Sequence, residues 1–147
     1  MVLKGLEKNG YFDLAYDIAR NCLENVVTVF QNDGTIYENY MPEKASKGAP
    51  AKPNFVGWSG LFPISILFEY VFGIRPDAQN EKIVWDIRLT EEHGVKNYPL
   101  GNLSVDLICQ ERTSPVEEPI VTAICKKPIE IEIRWKNGSK IITATKE

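Results

Sequence analysis

The spacing of apolar residues changes near Pro76. Before it they recur at intervals of three and four; after it they mostly alternate. Ala15, Ile18, Ala19, Cys22, Leu23, Val26, Val29 and Phe30 form one stripe, with Asp13, Asp17, Arg20, Asn21, Glu24 and Asn25 opposite. This spacing predicts an amphipathic helix over 12–30. Asn32-Asp33-Gly34 follows, and its glycine suits a left-handed cap. A second helix is predicted from about Phe62 to Gly73. Ser59 or Gly60 can cap it, and Pro63 suits the first turn, where its missing N–H costs nothing. Leu61, Phe62, Ile64, Ile66, Leu67, Phe68, Tyr70, Val71 and Phe72 leave this helix almost no polar face, as in a helix buried on all sides.

The second half reads as strands. "KIVWDIRL" (82–89), "NLSVDLICQ" (102–110), "PIVTAIC" (119–125) and "IEIEIRW" (129–135) come in turn. Leu103, Val105 and Leu107 share one face of the second, as Ile129, Ile131, Ile133 and Trp135 do in the last. Asn137-Gly138 is a two-residue hairpin signal, and "KIITATK" completes the hairpin. The reading is an α+β chain: a helical hairpin over 1–78, then a small antiparallel β-sheet or sandwich over 79–147.

Composition narrows the function classes. The chain has 147 residues, enough for one domain with a real core. Its net charge of −3 comes without a basic stripe, which argues against a nucleic-acid partner. Cys22, Cys109 and Cys125 form no CxxC pair and share no ligand spacing with the single His93, so neither a metal nor an organic cofactor is expected. The three cysteines read as buried thiols, which point weakly to a reducing, cytoplasmic compartment. The opening "MVLKGLEKNGYF" lacks the apolar run of a signal peptide, and 61–74 is too interrupted and short to span a bilayer, so no membrane partner is expected. His93 is expected at a strand approach, Trp85 and Trp135 in the core, and Glu69 in a structural role.

The chemistry concentrates in the long connection, residues 33–59. Three prolines, at 42, 50 and 53, keep it irregular, and so long a loop in a compact domain usually serves a site. Glu38 lies between Tyr37 and Tyr40. Aromatic neighbours desolvate a carboxylate and raise its pKa, as a general acid or base requires. Trp58 and the tyrosines could stack on sugar rings through their C–H faces. A structural glutamate is the competing reading. Asp33 and Glu43 suit turn and surface roles.

"GTIYENYMPEKASKG" followed by "FVGWSGLFPISILFEYVFGI" resembles the C-terminal end of the (α/α)6-barrel glycoside hydrolases of family 63 and the related trehalase-like enzymes. In those enzymes an aromatic-Glu-Asn-Tyr element ends one barrel helix, and a Gly-Trp-Ser-Gly or Gly-Trp-Thr-Asn-Gly element opens the last apolar one. Tyr37, Glu38, Asn39 and Tyr40 match the first; Gly57, Trp58, Ser59 and Gly60 match the second. "GIRPDAQNEKIVWDIRL" and "HGVKNYPLGNLSVDL" are similar to the β-rich tail after the barrel. The resemblance implies inverting hydrolysis of an α-linked glucoside or related sugar, with Glu38 as general base and Tyr37, Tyr40 and Trp58 lining the sugar subsite.

An inverting enzyme needs a second carboxylic acid about 6.5–9.5 Å away to protonate the leaving oxygen. The resemblance places that acid much earlier in a longer chain. The present chain then matches one hairpin of the barrel plus the tail, and is expected to be inactive alone. Its expected partners are carbohydrate and either a second copy or the remaining barrel portion. The alternative is a non-catalytic carbohydrate-binding or assembly module that keeps the aromatic cluster. A regulatory or structural protein, using the apolar helix as an interface, is a third class.

Overall fold

A computed structural model describes residues 2–53 and 55–146. The chain is α+β and divides into two compact units, residues 1–71 and 72–147.

The first unit is helical. Helix α1 spans Val2–Lys8 and α2 spans Phe12–Asp33. Sequence periodicity over so short a segment as α1 is weak and does not predict this helix. Ala15 and Ala19 of α2 pack with Ile66 and Tyr70, and Leu3 and Leu6 of α1 lie against them. The alanines let the backbones approach closely. Gly34 ends α2 in the left-handed conformation, its N–H donating to the Phe30 carbonyl. Phe30, on the predicted apolar face, is 50% exposed.

The expected second helix is not one continuous α-helix. A 3-10 turn over Gly57–Gly60 leads to the short α3, Phe62–Ile66, with Pro63 in its first turn, and a π-helical turn follows over Leu67–Val71. Nor is it buried on all sides: Leu61 is 71% and Ile64 55% exposed, while Ile66 and Tyr70 are buried. Its covered face meets both α2 and α1. Glu69 has a structural part, as expected. It pairs with Lys4 and accepts the Ser65 hydroxyl at 3.0 Å. Among the described residues no helix is long and apolar enough to cross a membrane.

Among the described residues the second unit holds seven strands in two sheets. Strands β1 (Ile74–Asp77), β2 (Lys82–Asp86), β6 (Glu130–Trp135) and β7 (Gly138–Thr143) make one sheet in the order β1-β2-β6-β7. Strands β3 (His93–Leu100), β4 (Leu103–Cys109) and β5 (Val121–Cys125) make the other. The first sheet corrects the antiparallel expectation, because β2 pairs with β6 in parallel. Trp85, Ile131 and Ile133 from one sheet meet Val105, Leu107 and Cys109 from the other in a single core.

Three further details depart from the sequence reading. The turn between β6 and β7 is Lys136-Asn137, not Asn137-Gly138, because Gly138 already pairs with Trp135. The indole lies over that glycine, and a Cβ there would come within 2.6 Å of its Cζ2. Strands β1 and β3, which contain Pro76 and Pro99, were not read as strands. Both lie at sheet edges, where a missing N–H is tolerated. Arg112, of no evident role in sequence, is buried. Its guanidinium donates to the carbonyls of Glu117, Leu89 and Ile87 and so fastens the 110–119 loop to the chain after β2. Trp85 is fully buried, with its indole N–H on the Phe72 carbonyl, whereas Cys22 is only partly buried.

Candidate functional site

All four candidate site residues lie in the helical unit, in the connection that follows α2. The left-handed cap at Gly34 turns the chain out of the helix. Residues 40 and 47 then form an isolated antiparallel bridge, so the middle of the long loop is a closed hairpin rather than irregular chain. The Met41 N–H donates to the Ser46 carbonyl at 3.0 Å, and the Gly48 N–H to the Asn39 carbonyl at 2.9 Å.

Tyr37 is 5% exposed, the most enclosed member of the cluster. Its phenol is held above the ordinary tyrosine range, first by burial and then by a hydrogen bond to the Asp33 carboxylate. Lys47 Nζ sits 5.5 Å from its ring centre, within cation–π range. Tyr40 is partly buried, and its hydroxyl accepts the Tyr37 backbone N–H at 3.1 Å. The two tyrosines therefore stabilise the turn through one another.

Glu38 lies between them in sequence, but its residue is exposed. The expected aromatic enclosure of its carboxylate is thus not found. The chain bends at Glu38, and Tyr37 is buried while Glu38 beside it is exposed. The Glu38 side chain instead lies against the 57–60 turn. A Cβ on Gly57 would meet Glu38 Cγ and Oε1, each at 3.4 Å, and Gly57 has a φ of +52°, a conformation that favours glycine. The Ser59 hydroxyl donates to the Glu38 carbonyl. The two motifs, twenty-one residues apart, are therefore joined directly.

Trp58, between Gly57 and Ser59, is 91% exposed. Its indole projects into solvent and is not enclosed with the tyrosines. Phe55 and Leu61 are also exposed, so the 55–64 segment presents a largely apolar surface beside Glu38. Asn39 was noted only as part of a motif. Its amide N–H donates to the Pro50 carbonyl at 3.1 Å, and its Oδ1 occupies the space where a side chain on Gly48 would lie.

The sequence offers Ser59 or Gly60 as the cap of the second helix. Helix α3 instead starts from Leu61 without any side-chain cap, and the Ser59 hydroxyl turns toward Glu38. No local sequence signal distinguishes these two uses of a serine. Two shallow depressions, of about 350 and 270 Å³, lie in the β unit, and no residue of the 33–62 segment lines either. Glu38 and Trp58 are both exposed. Among the described residues no group of three or more His, Cys, Asp or Glu is gathered to hold a metal. No protein-family model, no curated protein and no solved structure matches the chain.

Proposed function

We propose that the 33–62 segment is the base half of an inverting α-glycosidase site, with Glu38 activating water against an α-linked glucoside or related sugar. Tyr37, Tyr40 and Trp58 form the sugar-facing side, directly or by shaping the turn. The catalytic acid comes from a polypeptide segment outside this pair of turns. In this reading α2 and the 57–71 segment are the last helices of an (α/α)6 barrel.

One observation carries the proposal. The Tyr-Glu-Asn-Tyr and Gly-Trp-Ser-Gly elements, distant in sequence, are joined by the Ser59–Glu38 hydrogen bond with Gly57 against the carboxylate. A general base needs solvent access to take a proton from water, and Glu38 is exposed. The exposure of Trp58 favours a second reading, a carbohydrate-binding module without catalysis, since an unencumbered indole can stack on a sugar face.

Release of glucose from α-linked disaccharides is the test, with Glu38→Gln as control. The chain alone is expected to give no turnover, because the leaving oxygen lacks its acid. Addition of maltose is expected to change Trp58 fluorescence in the wild type and not in Trp58→Ala. Binding without turnover, even after the missing barrel portion is supplied, would establish the binding module. Absence of both would remove sugar chemistry from the site.

A further inference from the structure

We propose that Ser59 is a positioning residue for Glu38, and that it makes the 37–40 and 57–60 turns one mechanical unit. This rests on the reading of Glu38 as a base.

A carboxylate on an exposed loop samples several rotamers. A base has to be held to within about 0.5 Å by restrained neighbours. The backbone around Glu38 is restrained at every residue. The Tyr37 N–H is taken by the Tyr40 hydroxyl. The Asn39 carbonyl accepts from Gly48, and the Asn39 amide holds Pro50. These contacts stay within the 37–50 hairpin and would move with it. The Glu38 carbonyl is different, because it is gripped by Ser59 from the other motif. That hydroxyl has no competing duty as a helix cap.

The same grip brings Gly57 against the carboxylate. A Cβ on Gly57 would stand at ordinary contact distance, 3.4 Å, from Glu38 Cγ and Oε1, so the φ of +52°, rather than crowding, is what favours glycine there. Trp58 stands between these two contact points. The Ser59 hydroxyl ties the residue after Trp58 to the Glu38 backbone, and the Glu38 side chain lies near the residue before it. Substrate stacked on Trp58 would meet the carboxylate in a defined register.

The test follows the Gly57 amide by nuclear magnetic resonance while the Glu38 carboxyl is titrated. Glu38→Gln identifies which part of the response belongs to Glu38. In the wild type the Gly57 amide is expected to shift with the Glu38 midpoint. Ser59→Ala is expected to lose that response, and Ser59→Thr, which keeps the hydroxyl, to retain it. Amides of α2 report whether the unit stays folded. Should Ser59→Ala unfold it, Ser59→Cys serves as the second variant, with a weaker donor of similar size. A wild-type-sized response in either variant, or no response in the wild type, overturns the proposal. Maltose separates this outcome from the sugar reading. A Gly57 response lost in Ser59→Ala upholds the Ser59–Glu38 link whatever maltose does; with neither a maltose effect on wild-type Trp58 nor turnover, that link stands and the sugar reading falls.

Discussion

Tyr37 shows how a single residue can be legible in kind and illegible in role. Its neighbours marked it as a sugar platform, yet the ring is buried and the hydroxyl faces Asp33. Burial, and secondarily the Asp33 carboxylate, raise its pKa, so the folded state prefers the neutral phenol. The resulting stability is fully present below the unfolded value of about 10 and is lost as pH rises through the higher folded value. Ultraviolet titration of phenolate formation is expected to include a late-ionising step that Tyr37→Phe removes. A Tyr37 that titrates with the exposed tyrosines would show that the turn is open in solution. Glu38 lies next to it and differs because adjacent side chains leave a turn in different directions. That direction depends on the backbone dihedrals of the turn, which composition does not specify.

At the scale of elements, period and burial agree where one face is covered. Ile131 and Ile133 alternate with Glu132 and Arg134, and the sheet buries the isoleucines completely. On the outer face Arg134 donates to Glu132 at 2.7 Å, which holds that carboxylate below its usual range. The reading fails where position in the sheet decides. Edge strands β1 and β3 accept prolines that a central strand would reject. The entry into β1 depends on Gly73, whose φ is +70° and whose carbonyl accepts the Asp86 N–H at 2.9 Å. A Cβ there would lie 1.9 Å from the Asp86 carbonyl oxygen. Gly73→Ala is expected to destabilise the β unit by roughly 2–4 kcal/mol, from backbone strain and overpacking together. Denaturant unfolding followed by Trp85 fluorescence measures it. A loss below about 1 kcal/mol would mean that the Gly73–Asp86 contact relaxes easily.

At the scale of the molecule, the helical unit leaves an apolar surface uncovered over residues 55–64. Trp58, Leu61 and Ile64 are each more than half exposed, and Phe55 nearly so. Exposed apolar patches beyond a few hundred Å² mark interfaces or aggregation hazards. At roughly 25 cal/mol per Å², pairing two such patches could outweigh the entropic cost of association. A two-fold dimer is the simplest closed arrangement. Sedimentation equilibrium at micromolar concentration is expected to show self-association, weakened by Leu61→Ser with Ile64→Ser. A soluble 16.7 kDa monomer would sink this prediction and leave the surface to a different partner.

The sequence by itself determined the α+β division, helix α2 with its glycine stop, and the inward faces of β4 and β6. Each of these is a local property: a repeat of 3.6 or two residues records which face meets the core, and a glycine records a left-handed backbone. It also brought forward Glu38 and Trp58 through their neighbours. Only the tertiary structure decided the parallel pairing of β2 with β6, the edge strands β1 and β3, and the burial of Arg112. It alone decided that Ser59 holds Glu38 rather than capping α3. The physical reason is the same in each case. A hydrogen bond between distant residues is chosen by what the fold brings within reach, and no window of the chain contains both partners.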